Sequence, residues 1–196
     1  MHRSFLHLKT HHTSYFDPYR GVQAIKLTPG QHCVVSSESV IVTVLGSSVT
    51  ACIRDRDQGI GGMNHLLVAN LGDSLPENRQ MLSVATTAMD DFIQRLVDCG
   101  AKPDQLEAKV FGGGNILNGL HRSNAGARSA EVLCDYLRSR NIPVIAADIL
   151  DIYPRKVYFF PKSGEVLVKK LKSLKNETII HREKAYSERY LASNLC

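Results

Sequence analysis

Short β-branched runs, punctuated by glycine and proline, alternate through the first third of this 196-residue chain. Val22 to Leu27 and His32 to Ser36 read as strands separated by Thr28-Pro29-Gly30, a turn signal because proline presets φ and glycine tolerates the left-handed region. Ser39 to Leu45 is nearly continuous in apolar and β-branched residues, as a buried strand is. Gly46-Ser47-Ser48 interrupts it, and the β pattern resumes from Val49 to Arg54. Asp55 to Gly59 is a polar turn, and Ile60 to Ala69 reads as the next strand, with Gly61-Gly62 inside it.

The period then changes from two to about three and a half. Leu82, Ala85, Met89, Phe92 and Leu96 form one apolar stripe behind a Ser74-x-x-Glu77 capping box with Pro76 near the helix start, and Gly100 stands where the helix must end. Leu106 to Phe111 is a strand running into Gly112-Gly113-Gly114. A second helix covers Asn124 to Arg140, with Ala127, Ala130, Leu133 and Leu137 on one face. Pro143 to Asp148 is a further strand, and Lys156 to Phe160 with Glu165 to Leu171 forms a hairpin about Lys162-Ser163-Gly164. The last 25 residues fit a peripheral helix. The pattern predicts a single α/β (α+β) domain in which mixed or antiparallel sheets are layered with two long helices. The expected boundaries are a mobile N-terminal arm over 1–19, the domain over 20–172 and a basic extension over 173–196.

Composition narrows the function classes. With 43% hydrophobic and 22% charged residues the chain has globular proportions. Five irregularly spaced cysteines (Cys33, Cys52, Cys99, Cys134 and Cys196), with no CxxC pair and no secretory signal, argue for reduced thiols and cytoplasmic localisation rather than a disulfide framework or a zinc ribbon. Cys33, Cys52, Cys99 and Cys134 lie in apolar contexts and read as core. The longest apolar runs, Val40 to Leu45 and Pro143 to Leu150, fall far short of the ~20 residues that membrane insertion needs. The histidines of the N-terminal arm lack accompanying cysteines or carboxylates, so neither a metal nor another cofactor is implied. The net charge of +5 is uneven: from Pro154 to Cys196 ten Lys or Arg face four Glu. A basic end without interleaved aromatics suits a solvated face or an acidic protein partner better than a nucleic acid.

Two glycine-marked segments invite chemical readings. Gly112-Gly113-Gly114 matches neither GxGxxG nor GxxxxGK[ST], so packing or a bend with positive φ is the natural reading. Gly46-Ser47-Ser48 places small nucleophilic side chains, and backbone N–H groups released from a sheet ladder, at a bend. Seventeen residues after Ser48, a return strand carries His65, which the intervening turn allows to lie beside Ser48. Nucleophile, imidazole base and free N–H donors are the minimum set for acyl transfer, although a histidine at a strand end is commonly structural.

These motifs together resemble the chemoreceptor glutamine deamidase family, CheD. The matching segments are Leu45-Gly46-Ser47-Ser48, Gly61-Gly62-Met63-Asn64-His65, Ala108-Lys109-Val110-Phe111-Gly112-Gly113, Ile142-Pro143-Val144 and the closing hairpin from Arg155 to Val166, over roughly residues 20–172. The resemblance implies hydrolysis of receptor glutamine side chains to glutamate with release of ammonia. Its implied catalytic residues are Ser48 at the nucleophile position, His65 as base and Thr43 in support. Methyl-accepting chemoreceptors are the implied partners, with the phosphatase CheC a further one. The chain departs from the family at the nucleophile, where serine replaces cysteine. A thiol beside histidine ionises near neutral pH, whereas a hydroxyl must lose its proton to a base during attack. An engineered Cys→Ser form, a silent homologue that binds receptor or CheC, and a slow serine enzyme all satisfy the sequence. Cys52 does not replace the missing thiol, because it stands about 13 Å farther along the strand.

Overall fold

In a computed structural model, which describes residues 12–68, 75–116, 125–172 and 177–194, the alternating runs pair into two five-stranded sheets. The first contains β1 (Thr13–Asp17), β2 (Val22–Lys26), β4 (Val40–Leu45), β9 (Arg155–Phe160) and β10 (Glu165–Lys170), in the order β1-β2-β4-β9-β10. The second contains β3 (His32–Val35), β5 (Val49–Asp55), β6 (Gly61–Asn64), β7 (Leu106–Gly112) and β8 (Val144–Ile149), in the order β3-β6-β5-β7-β8. Pairing is antiparallel except for β2 with β4 and β7 with β8. Both long helices, α1 (Leu75–Asp98) and α2 (Ala125–Ser139), cover the second sheet, and α3 (Glu177–Asn194) follows the closing hairpin.

Burial follows from this layering. Leu27, Ile41, Leu45, Cys52, Met63, Phe111, Val157 and Phe159 fill the space between the sheets. Val49, Ala51 and Ile53 on β5 pack with Met89, Phe92 and Leu96 of α1 and with Ala130, Leu133 and Leu137 of α2. Strand β5 is covered on both faces, which is why Ala51, Cys52 and Ile53 are apolar in succession rather than in alternation. Two positions depart from the predicted stripes: Leu82 is half exposed and Ala127 is exposed, so each helix face is narrower than the sequence period suggests. Cys33 and Cys52 are buried, while Cys134 is half-buried and Cys99 is exposed at the end of α1. Ser74 of the capping box lies outside the described residues. Residues 13–17, expected within a mobile arm, form β1 because Thr13 to Asp17 pair with Lys26 to Val22 along the open edge of β2.

The chain changes sheets at Gly46-Ser47-Ser48. Strand β4 belongs to the first sheet and β5 to the second, so the glycine-serine bend is the crossover between layers. Among the described residues no helix is long and apolar enough to cross a membrane.

Candidate active site

The crossover holds its shape through the glycines that follow β7. The Gly113 amide donates to the Ser48 carbonyl and the Gly114 amide to the Gly46 carbonyl, both at 2.8 Å. With these carbonyls taken on one side, the Gly46, Ser47 and Ser48 amides converge on the other. Gly112 and Gly113 adopt φ of 110° and 70°, values that disfavour any side chain. A Cβ on Gly112 would stand 2.3 Å from the Ser48 carbonyl oxygen. The Gly112-Gly113-Gly114 segment is therefore the buttress beneath the bend.

His65 arrives from the other side of β5. Strands β5 and β6 pair antiparallel through Cys52↔Met63, and a Val49↔Leu66 bridge continues that register past the end of β6. Ser48 and His65 are then diagonal neighbours on one face. The His65 backbone is fixed by its amide on the Gln31 carbonyl at 2.8 Å and by the Gly30 amide on its own carbonyl at 2.9 Å. One residue earlier, the Asn64 side chain accepts from the Ala51 amide at 2.7 Å, and Thr50 Oγ1 donates to the Asn64 carbonyl.

The three side chains expected to act together do meet. Ser48 Oγ is 2.8 Å from His65 Nε2, and His65 Nδ1 is 2.7 Å from Thr43 Oγ1. Thr43 comes from β4 of the other sheet, and its hydroxyl donates to the Leu27 carbonyl at 3.1 Å. A hydroxyl that spends its proton on Leu27 accepts from His65 Nδ1–H, which leaves Nε2 as the acceptor facing Ser48. All three are essentially excluded from solvent. A narrow cavity beside them is lined by Gly30, Gln31, His65, Leu67, Ala88 and Tyr186.

Burial pushes the His65 imidazole down to about 4, with the Glu183 carboxylate opposing the shift, so it is a neutral base at pH 7. In the unfolded chain it titrates near its ordinary value of 6.5. The folded value of this base is depressed, so between about 4 and 6.5 the unfolded chain binds a proton that the native site refuses. Stability conferred by the neutral imidazole is complete above 6.5 and is lost as pH falls through that window. At roughly 1.4 kcal/mol per pH unit the loss reaches about 3 kcal/mol. A His65→Gln variant lacks this contribution. Its stability deficit against the parent, read from urea denaturation, is expected to shrink as pH falls from 7 toward 4.5, and a constant deficit contradicts a buried neutral His65.

One functional group was absent from the sequence reading: Glu183 of α3. Its Oε1 accepts from the Gly46 and Ser48 amides at 3.0 Å and from Ser48 Oγ at 2.6 Å. Its Oε2 accepts from the Ser47 amide at 3.0 Å and from Ser47 Oγ at 2.6 Å. The available signal was a carboxylate inside an apolar stripe, since Ile179, Glu183 and Tyr186 recur at helical spacing. Cys52 is wholly buried and its thiol is pushed far up by desolvation, which makes it unreactive. Among the described residues no group of three or more His, Cys, Asp or Glu is arranged to hold a metal ion.

The profile of the family described as CheD chemotactic sensory transduction matches residues 70–170. The chain is 49% identical over 183 residues to a probable chemoreceptor glutamine deamidase CheD 1 of Dechloromonas aromatica, covering 93% of this chain and 90% of that protein. It is 46% identical over 183 residues to a probable chemoreceptor glutamine deamidase CheD of Methylobacillus flagellatus, covering 92% and 90%. With a probable chemoreceptor glutamine deamidase CheD 1 of Shewanella oneidensis it shares 47% identity over 175 residues, covering 88% and 84%.

Proposed function

Because the chain belongs to the CheD family of chemotactic sensory transduction proteins, we propose that it is a protein-glutamine deamidase acting on cytoplasmic helices of chemoreceptors. The overall reaction takes a glutamine side chain and water to glutamate and ammonia. Ser48 Oγ attacks the carboxamide carbon while His65 Nε2 takes its proton. The oxyanion that forms takes the Gly46 and Ser48 amides, donors already aimed at one point, in place of Glu183 Oε1. The imidazolium then gives its proton to the departing ammonia. Water, deprotonated by the same nitrogen, releases glutamate and frees Ser48. Thr43 holds the imidazole ring in the tautomer that keeps Nε2 open. Chemoreceptors are the substrates, CheC is a further partner, and the basic charge toward the C-terminus suits acidic protein surfaces in the cytoplasm.

The observation that carries this reading is the Ser48–His65–Thr43 line, with hydrogen bonds of 2.8 and 2.7 Å, meeting three convergent amides at one bend. Ammonia release and intact mass of a receptor signalling-helix fragment test it. His65→Gln is expected to lower the rate by about 10²–10⁴-fold, the usual worth of a general base. Equal rates with and without His65 refute its role as base.

Serine at position 48 specifically favours a second reading, a receptor- or CheC-binding module without turnover. That module binds a receptor fragment yet releases no ammonia even after Ser48→Cys, an outcome the deamidase reading excludes.

A further inference from the structure

Glu183 occupies the amide pocket that an oxyanion needs. Three backbone N–H groups and two hydroxyls bind a single carboxylate there, each at 2.6–3.0 Å. A glutamate side chain is also the chemical product of glutamine deamidation, and here a helix presents it. We propose that α3 is a built-in competitor for the deamidation site: Glu183 holds the position of a product glutamate, and a receptor helix enters only by displacing it. The identity of the competing helix rests on the deamidase reading; the occupation of the pocket by α3 does not.

Four features support this assignment. The backbone is bare where α3 approaches: a Cβ on Gly46 would meet Ile116 Cδ1 at 2.5 Å, Ile179 Cγ2 at 2.8 Å and Glu183 Oε1 at 3.0 Å. On Gly30 it would meet the Tyr186 ring at 2.6 Å, so the helix lies in close contact at two separate loops. The Ser48 hydroxyl has one proton and two acceptors, Glu183 Oε1 and His65 Nε2, so the docked carboxylate competes with the base for that proton. Finally, of the described α3 side chains only Ile179 and Glu183 are buried. Among these described side chains there is little apolar packing to give up when α3 exchanges, and a helix on the same chain re-docks at an effective concentration on the order of millimolar.

Full-length Ser48→Cys protein gives a readout that needs no turnover, the rate of iodoacetamide alkylation at position 48 resolved by peptide mass. Adding Glu183→Ala, which empties the pocket, or Tyr186→Ala, which loosens α3 and keeps the Glu183 carboxylate, is expected to raise that rate about tenfold. That factor corresponds to an open state populated at roughly 10%. Unchanged rates overturn the proposal. Acceleration confined to Glu183→Ala also overturns it, because it then reflects only the lost negative charge beside the thiol. In the Ser48 chain, Glu183→Ala is expected to tighten binding of a receptor-helix fragment by a similar factor, and unaltered affinity overturns the competition. Absence of ammonia release from Ser48→Cys would count against the deamidase reading, and the alkylation rates would still decide the position of α3.

Discussion

Replacing Ser48 with cysteine is expected to raise ammonia release from a receptor-helix fragment by about 10²–10⁴-fold, the scale of one general-base step. The hydroxyl must surrender its proton to His65 in the same transition state in which it attacks, and it faces Glu183 as a rival acceptor. A thiol transfers its proton before attack, and the resulting thiolate is the stronger nucleophile. The surroundings suit either atom: the base is 2.8 Å away, the amides are aimed, and the side chains are buried. Circular dichroism and urea midpoint should stay close to the parent's, because the side chains differ by one atom. A rate for Ser48→Cys no higher than the parent's would remove residue 48 from the chemistry.

Gly112→Ala is expected to destabilise the fold by about 2–6 kcal/mol, combining a strained positive φ with an overpacked contact at roughly 1–3 kcal/mol each. Gly112 stands at φ 110°, and its added methyl would lie 2.3 Å from the Ser48 carbonyl oxygen, a backbone atom that cannot rotate away. Relief requires the crossover to shift, so the three amides lose their common focus along with the stability. Set against a typical total of about 5–15 kcal/mol, the cost should appear as a large drop in urea midpoint. Gly21→Ala is the control, since Gly21 has φ 65° and an added methyl would meet nothing within 4 Å. It carries only the conformational part, about 1 kcal/mol. Equal losses for the two variants would show that the contact with Ser48 is not what requires Gly112.

Much of this arrangement was legible in the chain. Val40 to Leu45, the Gly-Ser-Ser break and the resumption at Val49 read correctly as strand, bend and strand, because β-branched periodicity and glycine punctuation are local signals. The seventeen-residue return that brings His65 to Ser48 followed from one tight turn. The assignment of β4 and β5 to different sheets was not legible, since strand pairing is decided by long-range partners such as Val157 and Lys109. Leu82 and Ala127 looked like core because helical spacing identifies a face without saying how wide the covering layer is. The three glycines from 112 to 114 were legible as a bend, but their target, the Ser48 and Gly46 carbonyls, was not. Glu183 stayed hidden for a related reason: its helix carries a weak apolar stripe, and its partners lie 135 residues and more away.

As the proposed nucleophile, the side chain at position 48 bonds covalently to the substrate carboxamide carbon. Intact mass of an acid-quenched mixture of Ser48→Cys protein and receptor-helix fragment tests it most directly. The expected species is an adduct at the summed masses of the two chains less one ammonia, linked through position 48 and absent when His65→Gln is added. Turnover of the fragment with no such adduct at any quench time, or an adduct carried by another residue, would contradict it.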